Sequence, residues 1–174
     1  ITNKDSWKVA LFYMEFKNFF SWKPDSNGKN TISVNGGRYR NVGIEAQYGR
    51  KLTDHLKMTV GASYSNPKQQ EIDKTYWKQA NPKLQFTGGI HYNSSTWTAG
   101  TSINFVTKRM KNRDGGINPN LVAWNAYVGF QFNDNASLLL DARNLLNRHN
   151  VISNGDWEYW DAPFNYKLSY TQKF

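Results

Sequence analysis

The sequence ends in Phe164-Asn-Tyr-Lys-Leu-Ser-Tyr-Thr-Gln-Lys-Phe174, and this stretch decides how the other segments of the 174-residue chain are interpreted. Its apolar residues stand at every second position from Phe164 through Tyr166 and Leu168 to Tyr170, and the last one is Phe174. Gln172 alone interrupts the apolar set. An alternation with a period of two predicts a β-strand with one face against an apolar medium and the other against water.

The same alternation recurs upstream and predicts an all-β chain of about eight strands. The clearest segments are residues 42–48, 56–65, 83–93, 122–133 and 138–142. Residues 97–105 alternate less cleanly, and residues 7–20 carry aromatic residues on both faces, so that their inward side cannot be assigned.

The connections between these segments are alternately short and long. The short ones are 53–55, 93–95 and 134–135, and the long ones are 23–30, 66–82, 108–120 and 147–163. In an antiparallel meander this order places every tight turn at one end of the sheet and every long loop at the other. Transmembrane barrels have this asymmetry, with short periplasmic turns and long extracellular loops, whereas a soluble β-sandwich does not require it.

Aromatic residues near the predicted strand ends favour the same membrane barrel. Those beside the tight turns are Tyr92, Trp97 and Phe132, and those at the loop end are Trp22, Tyr39, Tyr64, Trp124 and Trp160. Two such groups resemble the aromatic belts at the two surfaces of a bilayer. A strand that ends on a carboxyl-terminal aromatic residue is also typical of the last strand of bacterial outer-membrane barrels. The candidate barrel-insertion signal is therefore Tyr166, Leu168, Tyr170 and Phe174.

Composition is compatible with this fold. The mean hydropathy is −0.75 and no stretch reaches 18 apolar residues, but half of each barrel strand faces a wet lumen. The chain has no cysteine and begins at Ile1 without an initiator Met, which predicts either a mature terminus or a cut through a longer polypeptide. The formal charge of +9 suits an acidic partner, either nucleic acid or the phosphates of lipopolysaccharide.

Four segments resemble those of TonB-dependent outer-membrane receptors of the siderophore-receptor type. Residues 42–45, Val-Gly-Ile-Glu, resemble the "GVE" strand of that family, and the end of the next strand at Tyr64 resembles its "Y-x-Y" segment. Residues 144–147, Asn-Leu-Leu-Asn, resemble "NLFD/NLFN", and residues 162–174 resemble the "P-R-N-Y…S-Y-x-F" ending. Leu146 and Phe164 depart from the pattern, where Phe and Arg are usual.

This resemblance implies that residues 1–174 are the carboxyl-terminal segment, about the last third, of a 22-stranded barrel with a plug inside. The plug and the segment that contacts TonB are expected upstream and not in this chain. The implied function is import of a scarce ligand, a ferric siderophore or another iron chelate such as haem, by an integral protein of the outer membrane of a Gram-negative cell. The carboxyl terminus is expected in the periplasm, among outer-membrane lipids and lipopolysaccharide, and no cofactor or nucleic acid is expected.

Two other hypotheses stay open at this stage. The first is an autonomous eight-stranded outer-membrane barrel with a structural or adhesive role. The second and weaker one is a soluble basic β-domain that binds nucleic acid through its aromatic residues.

Ligand-binding candidates lie in the long loops. Arg109, Lys111 and Arg113 form the most basic segment, which could attract an anionic chelate or equally pair with lipopolysaccharide phosphates. The aromatic candidates are Tyr76, Trp77, Trp157, Tyr159 and Trp160, which could stack on a planar ligand or serve as interfacial anchors.

No catalytic or metal-binding residues are predicted, and the chain is not expected to be an enzyme. His55, His91 and His149 do not share a metal-ligand spacing. Residues 118–121, Asn-Pro-Asn-Leu, spell a box known from haem receptors, but their place just before a late strand indicates a common turn opening instead. Parity predicts inward-facing charges that would bond a plug or line a wet lumen: Glu45, Lys83, Asp141, Arg143 and Lys167.

Overall fold

A computed structural model of the chain describes residues 4–72, 74–80, 84–110, 117–154 and 158–174. These residues form fourteen strands and contain no helix long and apolar enough to cross a membrane. The strands are β1 (Asp5–Pro24), β2 (Thr31–Lys51), β3 (Leu56–Ser65), β4 (Lys68–Gln70), β5 (Lys78–Gln79), β6 (Leu84–Asn93), β7 (Trp97–Thr107), β8 (Arg109–Met110), β9 (Ile117–Asn118), β10 (Leu121–Asn133), β11 (Ala136–Arg143), β12 (Val151–Asn154), β13 (Glu158–Trp160) and β14 (Asn165–Gln172).

The eight long strands form one antiparallel meander. β1, β2, β3, β6, β7, β10, β11 and β14 pair in chain order, each with the next. This confirms the predicted fold class, and it also confirms that tight turns and long connections alternate. The short strands lie in the long connections, where β4 pairs with both β2 and β5, β8 pairs with β9, and β12 pairs with β13.

The first hairpin is longer than predicted. β1 has 20 residues and β2 has 21, which at about 3.3 Å per residue gives strands roughly 65 Å long. The connection between them shrinks to residues 25–30, and β2 begins at Thr31 rather than at residue 42. The hairpin therefore continues well past the ends of the neighbouring strands.

The register places apolar side chains side by side on one face of the sheet. Leu140 lies opposite Val128 on one neighbour and opposite Leu168 on the other. Among the described residues Ala136 is the only hydrophobic residue in the buried core, whereas Leu11 and Leu168 leave 79% and 62% of their surface exposed. A contiguous exposed apolar face of this extent is the surface that a barrel presents to lipid, and it is called the outer face below.

The prediction that Tyr39 belongs to the aromatic belt at the loop end is wrong. Tyr39 was expected with the loop-end aromatic residues, but it lies opposite Phe16 at a ring-centroid distance of 6.0 Å. Because successive side chains of a strand point to opposite faces, Tyr39 is on the other side of β2 from Ile44, on the inner face. Tyr64, which lies opposite Ile44, and Trp124, which lies opposite Ile103, are on the outer face as predicted.

Close packing explains why position 43, in the "GVE"-like segment, is a glycine. A Cβ atom at Gly43 would lie 2.4 Å from Cζ of Phe12 and 2.4 Å from the carbonyl oxygen of Tyr64. β1, β2 and β3 therefore approach one another closely at this point, and only a residue without a side chain fits there.

The described sheet is not closed. β14 stands at one end and β1, paired only with β2, at the other. A complete eight-stranded barrel would instead pair β1 with β14 and leave no edges. The fold therefore does not support the hypothesis of an autonomous eight-stranded barrel.

Candidate functional site

The inner face of the sheet is polar and carries a row of titratable side chains. Along one line across the strands, Lys57 lies opposite His91, Tyr127 lies opposite Asp141, and Asp141 lies opposite Lys167. His91 Nδ1 is 3.3 Å from Tyr127 Oη. This row crosses β3 to β14 and is the surface that a segment inside a barrel would contact.

The inward charges predicted by parity lie on this inner face where they are described. Arg143 Nε donates a hydrogen bond to Asp141 Oδ1 at 2.8 Å, and Glu45 lies opposite Ser63. Lys83 lies outside the described residues. Near Glu45 the sheet forms an open concavity of about 260 Å³. Its polar lining residues are Lys8, Glu45, Gln47, Ser63, Gln85 and Thr87.

Tyr76 and Trp77 precede β5, and Trp77 contacts the first hairpin. The guanidinium carbon of Arg40 lies 4.3 Å from the centroid of the Trp77 ring, and that of Arg38 lies 5.9 Å away. These are cation–π distances. Arg38 and Arg40 were not among the predicted site residues, although their spacing of two places them on one face of β2.

Lys78 completes this group on the other side of the β4–β5 hairpin. Its Nζ atom lies 5.7 Å from the Tyr76 ring centroid and 3.0 Å from Glu71 Oε1. The hydrogen bond to Glu71 raises the pKa of Lys78. The aromatic candidates of this loop are therefore already engaged by cations of the protein.

Arg109 is buried, which differs from the exposed loop position expected for it. It is 7% exposed, and its guanidinium donates hydrogen bonds to the carbonyl oxygens of Pro119 at 3.3 Å and Ile152 at 3.1 Å. Desolvation lowers its pKa. In this position Arg109 joins two loops to each other, and its predicted role in ligand binding would require those bonds to open.

The segment that follows β11 is held by buried asparagines. Asn144 is 3% exposed and adopts a φ of 51°, in the left-handed region that Asn tolerates better than most residues. Its side chain donates to the carbonyl oxygens of Arg148 and Ala162, each at 2.9 Å, and accepts from the Arg148 N–H at 3.0 Å. The "NLLN" segment is thus a clamp at the base of the last loop.

Asn147 and Asn150 extend this clamp. Asn147 Oδ1 accepts a hydrogen bond from the Phe164 N–H at 2.9 Å. Asn150, 3% exposed, bonds both the N–H and the carbonyl oxygen of Val122 in β10. The motif is visible in the sequence, but this clamp is not, because the partners of Asn147 and Asn150 lie 17 and 28 positions away.

The remaining loop candidates are separated from Tyr76 and Trp77 along the sheet. Tyr159 and Trp160 lie in β13 of the last loop and are 60% and 59% exposed. Lys111, Arg113 and Trp157 fall outside the described residues. The described candidates therefore form two groups, one against the first hairpin and one on the last loop.

The candidate insertion signal lies at an edge of the sheet. Tyr166, Leu168 and Tyr170 point to the outer face and are 71%, 62% and 62% exposed, and Phe174 follows the end of β14. Their role in insertion stays a prediction. Across the described ranges no three His, Cys, Asp or Glu side chains come close enough together to hold a metal ion.

Comparison with known proteins agrees with this architecture. The family model described as "TonB dependent receptor-like, beta-barrel" matches residues 2–145. No match is found among curated protein sequences.

Several solved structures are similar over the whole chain. The unliganded ferric citrate transporter FecA has a TM-score of 0.77 at 22% identity and covers 99% of this chain and 29% of its own. The FrpB iron transporter from Neisseria meningitidis has a TM-score of 0.78 at 17% identity, with coverages of 100% and 30%. The copper transporter OprC has a TM-score of 0.75 at 15% identity, with coverages of 100% and 29%. The chain thus spans less than a third of the length of these proteins.

Proposed function

Because this chain belongs to the family of TonB-dependent receptor-like β-barrels, we propose that it forms the carboxyl-terminal part of the wall of a receptor that imports a ferric siderophore. The family is one of outer-membrane transport receptors and not of enzymes. The proposal extends from the family to the ligand, to the plug and TonB as partners, and to the periplasmic position of the carboxyl terminus.

The observation that carries the proposal is the amphiphilic open sheet. Its outer face is apolar along eight strands and its inner face is polar, with Lys57, His91 and Asp141 in one row. A wall of this kind separates lipid from a wet lumen, and its two free edges suit further strands on either side. The inner row then faces the plug, whose polar groups would bond it.

The loops support an anionic metal chelate as ligand. Tyr159 and Trp160 are exposed on the last loop, where aromatic faces suit a planar chelating group. The protein carries a formal charge of +9, which attracts an anionic complex over distance. Similar structures include transporters of ferric citrate and of iron, and one of copper, so that a copper complex is the competing ligand class.

Uptake by cells that carry the full-length receptor tests this proposal. Ferric citrate and a ferric catecholate are supplied as iron sources to a strain that lacks the receptor, with and without the receptor gene on a plasmid and with and without TonB. Copper(II) is supplied separately. We expect accumulation of radioactive iron from at least one chelate to require both the receptor and TonB.

A matched pair of variants tests the loop. Replacing both Tyr159 and Trp160 by Ala should weaken uptake at limiting chelate by about five- to 150-fold, because each aromatic contact contributes about 0.5–1.5 kcal/mol. Trp97→Ala, an exposed tryptophan at the tight-turn end, should leave uptake unchanged. Receptor-dependent accumulation of copper alone, or iron uptake independent of TonB, would contradict the proposal.

A further inference from the structure

Four cations lie together on the outer face of the first hairpin, just beyond its apolar band. In β1 the outer face carries Leu11 and Tyr13, and the next residues on that face are Glu15 and Lys17. Tyr13 Oη donates a hydrogen bond to Glu15 Oε2 at 2.8 Å, which joins the apolar band directly to the charged group.

The register brings the other cations onto the same face. Arg40 lies opposite Glu15 in β1 and opposite Lys68 in β4, and Arg38 lies opposite Lys17. Directly opposite residues of an antiparallel pair have their side chains on the same face. The outer cationic patch is therefore defined as Lys17, Arg38, Arg40 and Lys68.

The patch has a surplus of positive charge. Glu15 Oε1 lies 3.3 Å from Arg38 Nη2 and 3.7 Å from Lys17 Nζ, so that one carboxylate is shared between two cations. Four cations and one carboxylate give this cluster a formal charge of +3. The Lys17 and Arg38 side chains remain 63% and 48% exposed, which leaves their donors accessible to an anion.

The position of the patch indicates which class of anion it would contact. Outer-face side chains point away from the lumen, so an imported ligand does not reach them from inside the barrel. The patch lies at the loop end, where Val42 and Ile44 still carry the apolar band and are 52% and 42% exposed. At this height the neighbours of a barrel wall are the headgroups of the outer leaflet, whose phosphates suit arginine and lysine donors.

We propose that the outer cationic patch binds the phosphate groups of a lipopolysaccharide molecule at the surface of the outer leaflet. Arg38 and Arg40 supply the guanidinium forks, with Trp77 fixing Arg40 through the 4.3 Å cation–π contact, and Lys17 and Lys68 add charge on either side. The proposal rests on the outer-membrane orientation of the proposed function, since the loop end must face the cell exterior.

The test uses the full-length receptor, delipidated in detergent and offered purified lipopolysaccharide. Native mass spectrometry counts the lipid molecules retained. The double variant Arg38→Gln with Arg40→Gln is compared with Arg50→Gln with Lys51→Gln, which removes the same charge at the opposite end of β2. The control resembles the test variant because Arg50, like Arg38, forms an ion pair, with Asp5 at 3.8 Å. Removal of two cations near a lipid surface should lower retention about thirtyfold, whereas the control should retain the lipid.

Further arms identify the source of the anion. The wild-type receptor should retain phosphatase-treated lipopolysaccharide about as poorly as the double variant retains the intact lipid. Phosphatidylglycerol should not displace the intact lipid from the wild type. Equal retention of the dephosphorylated lipid, equal retention by the Arg38/Arg40 variant, or efficient displacement by phosphatidylglycerol would each overturn the proposal.

A second variant protects the test from a folding defect. If the Arg38/Arg40 variant loses its heat-modifiable mobility, Lys17→Gln with Lys68→Gln removes the same charge and leaves the Arg40–Trp77 contact intact. It should lower retention by a similar factor, and unchanged retention would overturn the proposal. Uptake of the ferric chelate should persist in the Lys17/Lys68 variant, so that failed transport and failed lipid binding are separate results.

Discussion

The last loop and the first hairpin satisfy their backbone groups in different ways. In the last loop the ladder stops at Arg143, and buried amides of Asn144 and Asn150 bond the backbone in its place. In the first hairpin β1 and β2 continue to Pro24 and Thr31, so that each strand satisfies the other. A loop that leaves the wall thus satisfies its backbone with buried side-chain amides, whereas a hairpin that extends the wall satisfies it with its own ladder.

The largest expected effect is loss of the Asn144 clamp. Asn144→Ala removes three side-chain hydrogen bonds. It also places alanine, which disfavours the left-handed region and has no side-chain amide, at a φ of 51°. The combined cost should be roughly 3–5 kcal/mol. Hydrogen exchange of the full-length receptor, followed by mass spectrometry, should be about a hundredfold faster or more in residues 144–164.

Two other variants sharpen this result. Asn144→Gly loses the same bonds but fits the left-handed φ, and it should lie between wild type and Asn144→Ala. Asn35→Ala, an exposed position in β2, should leave exchange in residues 144–164 unchanged. If Asn144→Ala does so as well, the buried amide does not hold the loop.

Arg109→Lys should have an intermediate effect. Lysine keeps the charge, but a single ammonium group does not reproduce the two separate donors to Pro119 and Ile152. Loss of one buried, charge-assisted bond should cost about 1–3 kcal/mol. We expect faster hydrogen exchange in residues 117–120 and 151–154.

This substitution also separates the two roles of Arg109. Arg148→Lys, an exposed arginine on the last loop, serves as the control and should change neither exchange nor uptake. If Arg109→Lys weakens uptake of a ferric chelate while loop exchange stays the same, Arg109 acts on the ligand, as its basic neighbourhood in the sequence predicts.

The wall was predictable and the loops were not. β3 matches the predicted segment 56–65 residue for residue, and β6 covers residues 84–93 of the predicted segment 83–93, because each has one apolar face and one polar face. The alternation fails between Thr31 and Asn41, where both faces of the extended hairpin lie outside the apolar band, and the start of β2 was therefore missed. Asn144 bonds the nearby Arg148, but its other partners, Ala162 and Asn125, are 18 and 19 positions away, and only the tertiary structure identifies those two.

The smallest expected effect concerns Asp25, the counterpart of Asn144 at the tip of the first hairpin. Its carboxylate accepts hydrogen bonds from the N–H groups of Asn27 and Lys29 and from the side-chain amide of Asn30, at 3.0 to 3.1 Å. Desolvation alone would raise the pKa of Asp25, but these bonds, led by Asn30, lower it on balance. A lowered pKa stabilises the folded tip above the unfolded pKa of about 3.9, and this contribution is lost as the pH falls through the folded value. Wild type and Asp25→Asn should therefore differ in hydrogen exchange of residues 25–30 at pH 7, and the difference should shrink as the pH falls below about 3.9. A difference that does not change with pH would show that the charge of Asp25 does not hold the tip.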